Sequence, residues 1–255
     1  MQDNIASIMQ AGNLYVYTVN NPIIWIDPSG RVIELPGNRD QRNTILRQMQ
    51  MLTNHELRAV QVDDSWHLAA TLADRNLVES DGGTWLSHGN ELILRMIASE
   101  HTVQITSITG NARSSPAARS RFRLSRADEL YASTPGIGAG GEVLFNTLER
   151  GYSYTMDDNG ISSLTRVPSH ILLAHELIHA DRAMRGVTIP DSQTGNVSLV
   201  LDRRFASSVT HRRIALEELA TIGIGNHHTS NCITENMFRQ EHGFDIRTSH
   251  RGEHR

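Results

Sequence analysis

The stretch VPSHILLAHELIHADRAMRG, residues 167–186, decides how the chain is read. Ile171, Leu172, Leu177 and Ile178 supply apolar faces at helical spacing, Pro168 suits a first turn, and Gly186 suits a left-handed cap. The spacing predicts a helix of about five turns. Inside it stand His175, Glu176 and His179. Residues four apart share a helix face, with Cβ atoms about 5–6 Å apart, so two imidazoles there can hold one zinc ion. Glu176 then lies beside the open coordination position, where a carboxylate can take a proton from water.

Catalytic zinc takes a third protein ligand and keeps a fourth position open. In the metzincin pattern a glycine and a third histidine follow at fixed offsets, but those places hold Arg182 and Arg185, which excludes that class. A carboxylate on a second helix is the alternative. HRRIALEELATIGIG, residues 211–225, offers one, with Ile214, Leu216, Leu219 and Ile222 as its apolar positions and an end near Gly223 and Gly225. Glu217 and Glu218 are adjacent and point about 100° apart, so only one of them reaches the metal.

Working outward, the 255 residues allow one large domain or one domain with appendages. The single cysteine, Cys232, excludes an internal disulfide and a Cys-rich zinc module. A net charge of -4 gives no global basic field, so no nucleic-acid partner is expected. No charge falls between Asp3 and Asp27, but Gln10, Asn13, Asn20, Asn21 and Pro22 interrupt that stretch, so neither a membrane span nor a signal peptide is expected. Residues 12–30 read as a hairpin of Leu14–Val19 and Ile23–Ile26. An amphipathic helix is expected over 39–53, and a helix from Gly89 handing over to a strand at 102–108. Arg113, Arg119, Arg121, Arg123 and Arg126 crowd residues 110–126, read as an exposed, mobile loop. The glycines of 133–146 lack the flanking strand and helix of a phosphate loop, so they are read as a turn into a strand at 142–146 near the active site. TENMFRQEHG, residues 234–243, reads as a third helix capped by Thr234. Its Arg239 suits either an oxyanion contact or a pair with Glu217 or Glu241. His227 and His228 read as loop histidines, and residues 54–88 carry no functional signal.

Two resemblances add to these residues. LYVYTVNNP and IDPSG, within residues 14–30, resemble the C-terminal edge of the core of Rhs (YD-repeat) proteins, which precedes a variable toxin domain. HELIH followed by EELATIG looks like the motif pair of clostridial neurotoxin light chains. Together with TENMFRQEHG, it resembles more closely the NleD-like effector zinc metallopeptidases, over roughly residues 89–247. That resemblance implies an α+β, zincin-like metallopeptidase fold, a small mixed sheet with an active-site helix and a second ligand-bearing helix. It implies a zinc metalloendopeptidase with His175, His179 and Glu218 as ligands and Glu176 as general base, Glu217 being the fallback ligand. The expected organisation is an Rhs-core fragment at 1–30, a linker and N-terminal helical region at 31–88, the zinc metallopeptidase domain at 89–247 and a polar tail at 248–255. The implied partners are a protein substrate in a target cell, reached through a specialised secretion system, and a cognate immunity protein in the producer. The rival readings are a binding module with structural or no metal, and a nucleic-acid-directed toxin using the arginines.

Overall fold

A computed structural model describes residues 33–124, 128–200, 209–227 and 231–249, with backbone alone at 24–25, 196–200 and 209–213. The elements begin with strands β1 (Ile24–Trp25) and β2 (Ile33–Glu34) and helix α1 (Arg39–Gln50). Helix α1 starts on a capping box, in which the Asn38 side chain accepts from Gln41 N–H and the Gln41 side chain accepts from Asn38 N–H. A hairpin follows, β3 (Glu56–Val62) and β4 (Ser65–Thr71), and then helices α2 (Arg75–Ser80) and α3 (Ser87–Ile97). Strands β5 (Val103–Ser107) and β6 (Arg121–Arg123), the single-turn helix α4 (Glu129–Ala132) and strand β7 (Gly141–Phe145) lead to the hairpin β8 (Tyr152–Met156) and β9 (Ser162–Arg166). The rest comprises helix α5 (Ser169–Met184), hairpin β10 (Thr194–Val200) and β11 (Val209–Ala215), helices α6 (Leu216–Ile222) and α7 (Glu235–Glu241), and strand β12 (Ile246–Arg247).

Seven strands form one mixed sheet in the order β1-β4-β2-β5-β7-β6, with β3 on β4. Strands β2, β5 and β7 run parallel, while β6 closes the far side antiparallel to β7. Val103 and Ile105 are buried while Gln104 between them is exposed, the period-two pattern of a strand with one core face. Those residues meet Ile45 and Met49 of α1, Leu92, Ile93 and Met96 of α3, and Ile171, Leu177 and Ile178 of α5 in a single apolar core. Each such side chain contributes about 1.5–3 kcal/mol by leaving water. Helix α5 is the centre of this packing, and all its residues except Ser169, Leu172 and His179 are buried. Strands β12, β8 and β9 form a separate three-stranded sheet in the order β12-β8-β9.

The α+β expectation is met, with a mixed sheet, the helix carrying His175 and His179, and a second helix bringing Glu218. The helices expected at 39–53, 89–97 and 234–243 and the strands at 102–108 and 142–146 are all present. The glycine-rich stretch packs backbone against backbone. A Cβ on Gly138 would stand 1.9 Å from the Met184 carbonyl oxygen at the end of α5.

Three readings change. Residues 211–225 are not one helix. The backbone is strand through Ala215, paired residue for residue with β10, and helical only from Leu216. Ile214 and Leu216 are two apart, a strand spacing that does not share a helix face. Residues 110–124 are not simply a loop, because β6 lies within them as the end strand of the main sheet. Residues 31–88 are neither a linker nor mainly helical, since β2, β3 and β4 belong to the same sheet as β5 and β7 across the expected boundary at 88. The Rhs-like segment lies outside the described residues except for the β1 backbone, which pairs with β4. At the other end the packed chain continues past 247, for Ser249 is buried and Thr248 N–H donates to the Tyr154 carbonyl. The tail from 250 onward lies outside the described residues.

Helix α3 tests this packing. A Cβ on Gly89 would stand 1.6 Å from the Leu52 carbonyl oxygen, which is backbone and cannot rotate away. Gly89→Ala is expected to destabilise the protein by about 1–3 kcal/mol or more, read as a melting temperature lower by several degrees in thermal unfolding.

Candidate metal centre and active site

Because α5 is buried nearly all round, its polar residues must find partners inside the protein. His175 and His179 turn their Nε2 atoms toward each other, 3.2 Å apart. Glu218, delivered by the first turn of α6, completes the group. Its Oε2 lies 3.3 Å from His175 Nε2 and its Oε1 3.5 Å from His179 Nε2. Two donors held about 2.0–2.1 Å from a tetrahedral ion lie roughly 3.3–3.4 Å apart, so this donor set fits zinc in size as well as in chemistry. Among the described residues, this is the one group of three or more His, Cys, Asp or Glu side chains converging in this way.

Both outward-facing Nδ1 atoms are held by carboxylates. His175 Nδ1 is 2.9 Å from Glu235 Oε2, and His179 Nδ1 is 3.3 Å from Glu217 Oε1 with Thr221 Oγ1 at 3.2 Å. An N–H at Nδ1 leaves the Nε2 lone pair free for a metal, so these contacts select the ligating tautomer. Each carboxylate is in turn clamped by arginine. Arg182 donates to Glu217 through Nε at 2.7 Å and Nη2 at 3.0 Å, while Ile189 N–H adds a third bond at 2.7 Å. Glu235 accepts from Arg239 Nε and from Arg247 Nη1, both at 2.7 Å. Glu217, the fallback ligand, therefore faces the outer side of His179 and is taken up by Arg182. Arg239 pairs with neither Glu217 nor Glu241. It bonds Glu235 and Ser153 Oγ. Glu241 instead caps the N-terminus of α3 through His88 N–H at 2.6 Å and Gly89 N–H at 3.3 Å.

Glu176 stands next to this group. Its Oε2 accepts from Phe122 N–H of β6 at 2.7 Å. Burial raises its proton affinity more than the neighbouring imidazoles lower it, so the carboxyl lies above the usual glutamate value. In the metal-free protein, burial pulls His175 down, but hydrogen bonds to Glu218 and Glu235 push it up further, to about 9. For His179 the charge of Glu218 and hydrogen bonds to Glu217 and Glu218 likewise outweigh burial, reaching about 10. Burial raises Glu217, but bonds from His179 and Arg182 bring it down to about 2. The whole group opens on a cleft of about 940 Å³. His227 is exposed, and His228 lies outside the described residues.

A family model described as Peptidase_M91, effector protein, matches residues 81–250. The chain belongs to this family. Within it, the two histidines and one glutamate form a donor set that could hold a metal ion. No curated protein sequence matches it. Solved structures similar to this chain include the botulinum neurotoxin type D light chain, at 18% identity over 69% of this chain and 32% of that one, with a TM-score of 0.32. Another is the type C light chain with its zinc removed, at 16% identity over 77% of this chain and 38% of that one, with a TM-score of 0.34. The chain thus spans less than two fifths of the length of either light chain.

The residues sequence reading passes over are those that orient the histidines: Glu235, Arg182, Arg247 and Thr221. Glu235 follows a capping threonine and looks like any first-turn acid, and no spacing rule links it to a histidine sixty positions earlier.

Two expectations follow. Histidines raised above their ordinary value of 6.5 stabilise the metal-free fold fully below that pH, and the contribution is lost as pH rises through about 9 and about 10. Zinc must displace those protons, so its affinity is expected to rise with pH over the same interval, with proton release detectable by calorimetry in buffers of different ionisation enthalpy. Glu235→Gln is expected to weaken zinc binding about 10–100-fold in a competition titration with a chelating indicator.

Proposed function

We propose that this chain is a delivered effector that hydrolyses peptide bonds within a protein of the target cell, with His175, His179 and Glu218 holding zinc and Glu176 acting as general base. The observation that carries this reading is the mutual spacing of the three donor groups, 3.2–3.5 Å, beside a buried carboxylate on a large cleft. Zinc at such a site supplies Lewis acidity, which acidifies water and polarises a carbonyl. Glu235 and Glu217 keep the imidazoles in the ligating tautomer. Glu176 takes the proton of the attacking water and returns it to the leaving amine, and the burial that raises its proton affinity favours the first of these transfers. Phe122 N–H holds one oxygen of that carboxylate, which fixes the direction in which the other presents itself.

The Rhs-like residues 14–30 support delivery as the tip of a larger secreted protein, with an immunity protein guarding the producer. Among the described residues no helix is long and apolar enough to cross a membrane. The target protein is to be found by comparing the proteomes of cells expressing wild-type and Glu176→Gln protein. New protein termini are expected with the wild type alone. The purified variant should keep its zinc while cleavage falls about 10²–10⁴-fold. A variant that cleaves as well as the wild type would rule out Glu176 as the general base.

A further inference from the structure

Arg119 and Arg121 sit in the stretch expected to be a mobile loop, yet the structure anchors both. Arg119 Nε donates to the Ala112 carbonyl at 3.1 Å. Arg121 Nη1 donates to the carbonyls of Ala117 at 2.9 Å and Arg119 at 2.8 Å, with that of Pro116 at 3.5 Å. Carbonyl acceptors hold a guanidinium in place without cancelling its charge, and they leave its other N–H donors free. Both arginines line the active-site cleft. Among the described residues neither has a carboxylate partner, whereas Arg247, which lines the same cleft, is paired with Glu235. Glu149, also on the cleft, directs its Oε2 to Ser120 N–H at 2.6 Å.

Position gives these charges a use. Phe122, whose N–H holds Glu176, is the next residue after Arg121 and the third after Arg119. At about 3.3 Å per extended residue, the backbone of Arg119 and of Arg121 lies within roughly 10 Å of Phe122 along the chain. We propose that Arg119 and Arg121 form a specificity subsite that takes an Asp or Glu side chain of the protein substrate within about three residues of the cleaved bond. The proposal rests on the peptidase reading above. Because the guanidinium groups are already immobilised, little ordering cost falls on substrate binding, and a basic side chain at that place is repelled.

The test gives purified, zinc-loaded full-length protein a peptide library made by chymotryptic digestion of a proteome, and reads the residues flanking each new cleavage. The wild type is expected to enrich Asp and Glu over Lys and Arg on the order of tenfold at one position within three residues of the cut. Arg121→Glu and Arg119→Glu should erase that enrichment or turn it toward Lys and Arg, with zinc content and melting temperature retained, while Arg121→Lys keeps it. Cleavage without acidic enrichment by the wild type overturns the proposal, as does enrichment that survives both charge reversals. The wild-type profile decides the matter even if a variant fails to fold. Zinc-loaded wild type that cleaves no peptide at all would instead sink the peptidase reading, and this inference with it.

Discussion

Burial of helix α5 is the constraint on which the rest of the structure depends. A helix surrounded by protein cannot turn its polar residues to water, so His175, Glu176, His179 and Arg182 take partners delivered by other elements. The partners come from widely separated parts of the chain. Phe122 N–H of β6 serves Glu176, Glu217 of α6 serves both Arg182 and His179, and Glu235 of α7 serves His175. The elements that satisfy the helix are therefore the elements that build the site. A buried ion pair is weak evidence for stability, because desolvation offsets much of the attraction, but removing one partner is costly. Arg182, about 2% exposed, and Glu235, at 1%, are placed where that asymmetry is strongest.

Strand β6 joins the sheet to the chemistry. It is three residues long, it closes one side of the main sheet, and its central N–H leaves the ladder to reach Glu176. The antiparallel pairing Phe122↔Val143 fixes its height over α5, and the glycines before β7 let the backbone of that strand's approach lie close against the end of the helix. A sheet edge and a buried helix thus converge on one carboxylate. Loop residues held in this way differ from the solvated loop that composition suggests, because a run rich in Arg, Ser and Ala has the same composition whether its guanidinium groups float or bind backbone carbonyls.

How far the sequence reveals the molecule follows from the range of the forces involved. Helix α5, its glycine cap and the placing of His175, Glu176 and His179 are local, set by periodicity and by the four-residue repeat, and they are legible. So are α1 and the alternation of β5. The hairpin β10–β11 is hidden because Leu216, Leu219 and Ile222 do keep helical spacing and Ile214 reads as their extension, and only pairing with β10 shows where the strand stops. The pairing of Glu235 with His175 and the clamping of Glu217 by Arg182 span 60 and 35 positions, and no local pattern records them. Residues 54–88 look silent for a related reason. Their work is to supply β3 and β4 to the sheet and to join Asn54 to Asn90 in a hydrogen-bond network, which is packing and leaves no chemical motif.

The break between strand and helix at Ala215 sets the directions in which Glu217 and Glu218 point. Leu216 N–H is tied to the Gln193 carbonyl, so α6 starts at a fixed point against the base of the hairpin. Two successive residues in its first turn then point about 100° apart. One direction leads to Arg182 and the outer nitrogen of His179, the other to the space between the two Nε2 atoms. Glu217 is the buried member, pulled down to about 2 by its hydrogen bonds, and Glu218, 30% exposed, faces the cleft. The pair does not compete for one role. Had the helix begun one residue earlier or later, both carboxylates would turn by about 100°, and the two directions could no longer be filled together by Glu217 and Glu218. The hairpin upstream of α6 is in that sense part of the metal centre, although the side chain it delivers belongs to the helix.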